Sequence, residues 1–132
     1  MKINIFDSIV AIAATIFTYL LGGADVVVIT LAIFMGLDYF TGVIIGVTEK
    51  KLSSAVGFKG LAKKCLIILI LIAAVQLDKL QGTGQWVFRT LVCYFYIANE
   101  GISLLENASK LGIPIPNKLK KALEQLKTKE EE

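Results

Sequence analysis

The feature that most constrains this chain is an apolar run of 22 residues, Val26 to Val47, which contains a single charged side chain, Asp38. A helix needs about 20 apolar residues to cross the roughly 30 Å hydrocarbon core of a bilayer, so this run is long enough to span it. Lipid offers no partner to an unpaired backbone group. The run is therefore predicted to be helical, although it opens with the β-branched stretch VVVIT.

The charged residues are distributed unevenly along the chain. Between Ile9 and Val47 the only charged residues are Asp25 and Asp38, whereas residues 110–132 carry six Lys and four Glu. Hydrophobic residues make up 55% of the chain and charged residues 19%, with a mean hydropathy of +0.70. Soluble domains are typically about 45–50% apolar and about 25% charged. This segregation indicates an integral membrane protein that partitions between a lipid bilayer and water.

Three further segments are candidates for membrane helices. The first runs from Ser8 to Gly23 and reaches spanning length if it is extended back to Ile3. It could be read as a signal peptide, but its charged start contains an acidic residue and no convincing cleavage site follows, so we interpret it as a retained helix. The other two are Leu61–Leu80 and the more polar Trp86–Leu105.

The positive charges predict the topology of these segments. A basic loop follows the second segment, and its lysines are Lys50, Lys51, Lys59, Lys63 and Lys64. The C-terminal tail is also rich in lysine, so the positive-inside rule places the loop and the tail in the cytoplasm. Two cytoplasmic flanks require that the third and fourth segments both cross or both lie at the surface. Crossing by both is favoured, with the N- and C-termini inside.

The predicted fold class is therefore an all-α membrane protein of small helical hairpins, with about four transmembrane helices and a short cytoplasmic amphipathic C-terminal helix. Residues 1–112 would form the membrane domain and residues 113–132 the cytoplasmic tail. Gly112 and the following IPIP stop the fourth helix, and Asn117 can cap the tail helix. Its apolar stripe is Leu119, Leu123 and Leu126. Its lysines could bind anionic headgroups, or the tail could simply be solvated.

One face of the second segment is small and polar. On a helix Asp38, Gly42 and Gly46 follow each other at intervals of four, with Thr41 beside them. Small residues at this spacing allow close approach of a second helix. A carboxylate within a membrane normally faces protein or water. The stripe is thus a candidate oligomerisation or pore-facing surface.

The alternative for the same carboxylate is an ion pair inside one chain. Asp38 and Arg89 could neutralise each other as an internal brace. Glu100, close to the end of the fourth segment, is expected at the cytoplasmic interface without a specific role.

Enzyme chemistry is not predicted. The chain has no histidine, and Cys65 and Cys93 are isolated thiols in apolar segments. They form neither a metal site nor a Cys/His nucleophile pair. No catalytic residues, metal ligands or cofactor motifs are found, so the protein is predicted not to be an enzyme and to need no cofactor. Because the lysine clusters flank membrane segments, nucleic-acid binding is a poorer explanation of them.

Two stretches of this sequence resemble a known family. They are LDYFTGVIIGVTEKKLSSAVGFKGLAKK and NEGISLLENASKLGIPIPNKLKKALEQL. The Asp followed by T-G, the K-L-S-S loop and the N-E-x-x-S-x-x-E-N…G-I-P-x-P close resemble the phage lysis holin and toxin-secretion holin family. The resemblance extends from about residue 26 to residue 126.

The resemblance implies a function that the residue pattern alone does not. A holin accumulates in the bacterial cytoplasmic membrane as a homo-oligomer and opens lesions that release a cell-wall hydrolase or, in some relatives, a toxin. The alternatives are an antiholin or accessory membrane subunit that acts on another membrane protein, and a small channel.

Overall fold

The computed structural model describes residues 2–131, with side chains described for residues 2–127. Five helices form and no strand is present within residues 2–131. In chain order the helices are α1 Ile5–Leu20, α2 Val26–Thr48, α3 Ser54–Gln81, α4 Val87–Lys110 and α5 Asn117–Glu131. The all-helical prediction is confirmed, and so is the helical state of the β-branched stretch that opens α2.

Each helix boundary has a local chemical cause. Asp25 begins α2, since its carboxylate accepts a hydrogen bond from the Val28 N–H at 3.2 Å. Ser53 begins α3 in the same way, by accepting from Val56 N–H at 3.2 Å. Side-chain acceptors at this position satisfy the unpaired N–H groups of the first helical turn. Gly82, with φ +67°, ends α3 in the left-handed region that glycine adopts without steric cost.

The third helix is longer than the sequence pattern indicated. It begins at Ser54 rather than near Leu61, so Lys59, Lys63 and Lys64 lie on a helix and not in a loop. The connection after α2 is reduced to residues 49–53. The hydropathy pattern missed the first two turns of α3, in which Gly57, Lys59 and Gly60 interrupt the apolar residues, but the Ser53 cap starts the helix ahead of the continuous apolar stretch.

Helices α2, α3 and α4 form the core of the molecule. Leu31, Leu71, Val75 and Cys93 are the largest of its fully buried side chains. The Asp25 end of α2 lies beside the Arg89 end of α4, and Asp38 lies beside Asn107, so α2 and α4 run in the same direction. Helix α3 runs against both, because Lys64 reaches Glu100 while Asp78 reaches Arg89.

The two terminal helices pack differently. Helix α1 has no buried residue and, among the described helices, contacts α3 alone. Helix α5 folds back against α4, where Leu123 is 7% exposed. Helices α2 and α3 are long and apolar enough to cross a membrane, while α1 is apolar but shorter, with 16 residues.

Candidate functional site

Three helices bring one lysine and two carboxylates together. The Lys64 Nζ of α3 lies 2.7 Å from Asp38 Oδ2 of α2 and 2.6 Å from Glu100 Oε2 of α4. The three side chains are 14%, 18% and 9% exposed, respectively. The partners are separated by 26 and 36 residues in the sequence, so only the tertiary fold creates this group. We call these three residues the Lys64 cluster.

The second oxygen of Asp38 is also hydrogen-bonded. The Asn107 side-chain amide of α4 donates to Asp38 Oδ1 at 3.1 Å and to Thr41 Oγ1 at 2.9 Å. The Thr41 hydroxyl in turn donates back to the Leu37 carbonyl oxygen one turn earlier, at 2.9 Å. Among the described residues, no buried side-chain nitrogen or oxygen lacks a hydrogen-bond partner. The polar side of α2 is therefore used within the chain.

The Lys64 cluster lies at the wall of a groove of about 580 Å³ between α2, α3 and α4. Tyr39 and Tyr96 line it, as do Gly42 and the exposed Lys63. Two ionised carboxylates and one ammonium would leave the Lys64 cluster with one excess negative charge.

The glycines of the predicted stripe have different surroundings. A Cβ placed on Gly42 would meet nothing within 4 Å. A Cβ placed on Gly46 would lie 3.2 Å from both Cβ and Cδ1 of Leu52, in the connection that follows α2. Gly46 thus accommodates its own chain, and Gly42 is the open glycine of the pair.

A second polar group lies at the opposite end of the helices. Arg89, 3% exposed, donates from Nη1 and Nη2 to the two carboxylate oxygens of Asp25, both at 2.9 Å. It also donates from Nε to the Leu21 carbonyl at 2.7 Å and from Nη2 to the Gly23 carbonyl at 3.1 Å. We call Arg89 with these acceptors the Arg89 cluster.

The ends of α3 and α4 complete this arrangement. The Asp78 carboxylate of α3 accepts from the backbone N–H groups of Phe88 and Arg89, at 2.9 and 2.8 Å. These N–H groups lie in the first turn of α4, where no intrahelical acceptor is available. Hydrogen bonding from the Arg89 guanidinium, opposed in part by burial, holds the pKa of Asp25 below its ordinary value.

The alternative ion pair between Asp38 and Arg89 is not the one in the structure. Each has a different partner: Asp38 bonds to Lys64, and Arg89 to Asp25. The reason is distance along parallel helices. Asp38 lies 13 residues beyond Asp25 on α2, which corresponds to about 20 Å of helix rise.

Two expectations about single residues are corrected as well. Glu100 was expected at the cytoplasmic interface without a specific role, but it is buried and forms an ion pair with Lys64. Lys64 does not belong to the exposed basic surface that includes Lys50, Lys51, Lys59 and Lys63. Of that set, Lys51 lies 3.7 Å from Glu49 in an exposed pair.

The spacing of apolar residues in the sequence could have indicated that these charged residues are buried. Lys64, Ile67, Leu71 and Asp78 follow one another at helical intervals on the buried face of α3. Arg89, Cys93, Ile97 and Glu100 do the same on α4. A polar residue that continues a buried apolar stripe is predicted to face the same neighbours as the stripe.

Comparison with known proteins places the chain in a family. The model of the bacteriophage holin family matches residues 15–128. The chain belongs to this holin family. The chain is 55% identical to an uncharacterized 14.9 kDa protein of Clostridium perfringens over 115 residues, which is 87% of each of the two proteins.

More distant relatives of the chain include a phage protein. It is 42% identical to an uncharacterized protein of Clostridium acetobutylicum over 92% of this chain and 97% of the relative. It is 38% identical to a probable holin of Bacillus phage phi105, over 61% of this chain and 58% of the phage protein. No solved structure matches the chain.

Proposed function

We propose that this protein acts as a holin: copies accumulate in the bacterial cytoplasmic membrane, assemble with one another and open lesions. Through these lesions a cell-wall hydrolase or a secreted toxin leaves the cytoplasm. The observation that carries the proposal is membership of the bacteriophage holin family over residues 15–128. A relative described as a probable holin in a Bacillus phage adds support.

The proposed topology has four crossings, with both termini in the cytoplasm. The length and apolar composition of α2 and α3 support two of these crossings. The buried face of α4 lies along α2 and α3 and supports a third, because a helix packed between two spanning helices shares their depth. The exposed apolar surface of α1 suits contact with lipid. Residues 113–132 would form the cytoplasmic tail.

Assembly of several copies is part of the proposal for a physical reason. The centre of α2, α3 and α4 is filled by Leu31, Leu71 and Val75, which are 0–1% exposed. A path for solutes therefore has to lie between copies rather than through one. Of the stripe Asp38, Thr41, Gly42 and Gly46, the open Gly42 is the position at which a second helix could approach.

Inducible expression in bacteria tests the proposal. With a co-expressed cytoplasmic cell-wall hydrolase, the protein should cause abrupt lysis, and without the hydrolase it should stop growth and collapse the membrane potential. An unrelated multi-pass membrane protein accumulated to the same level is the control for overload of the membrane. Undisturbed growth and potential at high accumulation would contradict the proposal.

The same experiment separates the alternatives. An antiholin or accessory subunit would open nothing alone and would delay lysis by a co-expressed holin. A small channel would dissipate the potential but would retain the folded hydrolase inside the cell.

A further inference from the structure

The groove beside the Lys64 cluster contains two hydrogen-bonding groups that the chain itself does not use. Lys64 donates to one oxygen of Glu100, and the other oxygen, Oε1, accepts no hydrogen bond from the residues that the structure describes. The Ser103 hydroxyl, one turn further along α4, also has no partner among these residues. No buried side-chain oxygen of the described residues lacks a partner, so both of these oxygens open on the groove that Glu100 and Ser103 line.

The charges around Glu100 favour a cation at this position. The Glu100 side chain is only 9% exposed, and it shares its lysine with Asp38. When both carboxylates are ionised, one negative charge of the Lys64 cluster has no counter-charge. A negatively charged free acceptor with a free hydroxyl beside it matches a group that is positively charged and donates several hydrogen bonds. A primary ammonium has both properties.

The same groove has an apolar wall on α3. Lys63, Leu66 and Ile70 line it at intervals of three and four, so they lie on one face of that helix. Lys63 is exposed, forms no ion pair among the described residues, and comes just before the uncharged stretch 65–77. It therefore marks the cytoplasmic edge of the apolar part of α3. Leu66 and Ile70 are 57% and 43% exposed, and Ile70 lies about 10 Å beyond Lys63 toward the Arg89 end.

We propose that this groove binds a phospholipid whose headgroup carries a primary ammonium, the chemistry of phosphatidylethanolamine. The ammonium faces Glu100 Oε1 and the Ser103 hydroxyl, and the phosphate faces Lys63. One acyl chain covers Leu66 and Ile70 on the way into the bilayer. The inference requires that α3 crosses the membrane, as in the proposed topology, but it does not require that the protein opens lesions.

Other occupants match the groove less well. Phosphatidylglycerol would bring only negative charge to Glu100, and phosphatidylcholine has a quaternary ammonium with no hydrogen to donate. A helix of a second copy could approach the α2 wall at Gly42, where a Cβ would meet open space. Glu100 and Ser103 belong to the α4 wall instead, and a helix at Gly42 would leave their free oxygens unpaired.

Lipid retention by the purified protein tests the site. The protein in mild detergent is equilibrated with equal amounts of phosphatidylethanolamine, phosphatidylcholine and phosphatidylglycerol with identical acyl chains, and the lipids retained after gel filtration are quantified by mass spectrometry. Phosphatidylethanolamine should be enriched about tenfold over the other two, since a hydrogen bond to a charged group contributes about that factor. Soluble ethanolamine should not displace it, because it lacks acyl chains. Displacement would reveal a site for a free amine and would overturn the lipid site.

Two substitutions on α4 locate the bound headgroup. Glu100→Gln keeps the shape of the side chain but removes its charge, and it should reduce the enrichment to about twofold or less. Glu106→Gln removes an exposed carboxylate of the same helix outside the groove, so this matched control should keep the full enrichment. Ser103→Ala leaves the Lys64 cluster intact and should lower the enrichment about threefold, through the loss of one neutral hydrogen bond. It decides the question if Glu100→Gln does not fold.

The opposite results overturn the proposal. Equal retention of the three lipids by the unsubstituted protein would mean that the groove selects no headgroup. Enrichment that survives both Glu100→Gln and Ser103→Ala, or that is lost equally in Glu106→Gln, would place the selectivity outside the groove. If Glu100→Gln lowers the fraction of chemically cross-linked copies and leaves lipid retention unchanged, the groove receives a second copy. Lysis in cells tests the proposed function separately, so failure of either proposal leaves the other standing.

Discussion

The two charged clusters of this protein lie at different levels of the same three-helix core and are built on different principles. In the Arg89 cluster one cation meets one carboxylate and two backbone carbonyls, all held by the turn between α1 and α2. In the Lys64 cluster one cation is shared by two carboxylates from different helices, beside an open groove. In the first, the guanidinium bonds to one carboxylate, and the second carboxylate nearby, Asp78, accepts from backbone N–H groups instead. In the second, both carboxylates accept from the same lysine.

This difference shows that a charged side chain in an apolar helix can have one of two structural roles. Arg89 fixes how helix ends meet, and its removal leaves acceptors without a donor. Lys64 reduces repulsion between two carboxylates, so its removal and the removal of a carboxylate should have unlike effects. The comparison can be tested by substitutions that remove one charge at a time.

The largest effect is expected for Arg89→Ala. The change leaves the Asp25 carboxylate and the Leu21 and Gly23 carbonyls without their donor. Because Asp25 is half-exposed, most of the cost comes from the buried Leu21 carbonyl left without a donor and from the space that the buried arginine side chain vacates, together about 3–5 kcal/mol. Thermal unfolding in detergent and the amount accumulated in membranes measure the loss. Lys59→Ala, at an exposed site, is the control, and equal unfolding of the two variants would show that the Arg89 cluster is dispensable.

The second-largest effect is expected for Lys64→Met, which should lower the free energy of unfolding by about 3 kcal/mol. This is the lower end of the range for a broken buried ion pair, because the groove admits water to the two carboxylates. Its neighbour Lys63 provides a matched control, since it is exposed. Lys63→Met should change the free energy of unfolding by about 0.5 kcal/mol or less. Similar losses in both variants would mean that Lys64 is no more than a surface lysine.

Removing one carboxylate should be milder than removing the lysine. Glu100→Gln leaves a one-to-one pair between Asp38 and Lys64, so a change of about 1 kcal/mol or less is expected. In the Lys64→Met background the same substitution should restore stability, because it removes one of the two facing carboxylates. A double-mutant cycle with unfolding as the readout measures this coupling. Additive losses would rule out the shared-lysine arrangement.

Acid should weaken the Arg89 cluster at Asp25. Its pKa is held below the ordinary value of 3.8, so the stabilisation is complete above that value and is lost as the pH falls below it. Asp25→Asn keeps a helix-capping side chain but removes the charge. The variant should be less stable at pH 7 by about 1 kcal/mol, a modest figure because Asp25 is half-exposed. The difference should vanish in strong acid. A constant difference at every pH would contradict the charge-based explanation.

The smallest effects are expected at the glycines of α2. Gly42→Ala should stabilise the isolated chain in detergent by up to about 1 kcal/mol, because the new Cβ meets open space and alanine favours helix. Gly46→Ala should gain less, since its Cβ would press on Leu52. If copies meet at Gly42, then Gly42→Leu should delay lysis although the isolated chain is no less stable in detergent than the unsubstituted protein. Lysis on the original schedule would exclude Gly42 from the assembly surface.

The sequence predicted the helical fold well because hydrophobic length and helix caps act locally. The apolar run from Val26, the stop at Gly112 and the helix at Asn117 all correspond to helices with the expected start or end. The first turns of α3 were missed, because Gly57, Lys59 and Gly60 interrupt the apolar pattern there.

The partners of the charged residues were harder to predict from the sequence. Asp38 has Arg89 and several lysines as candidate partners, and the choice depends on which helix ends lie side by side. That arrangement results from the parallel course of α2 and α4, which the loops do not encode. Lys64 differs from Lys63 by one position, which is a rotation of about 100° on the helix. The buried stripe through Ile67 and Leu71 was the available indication.

The position of Arg89 has a consequence for biosynthesis. The groups that accept hydrogen bonds from Arg89 lie in the connection between α1 and α2, 64 to 68 residues before it in the sequence. At about 5–20 residues per second, a ribosome needs roughly 3–14 s to make that interval. The acceptors are therefore in place before the arginine emerges. In the proposed topology Arg89 must be carried to the outer side of the membrane, and it arrives at a site already able to neutralise it. Because of this order of synthesis, the turn between α1 and α2 provides a binding site for Arg89 before α4 is made.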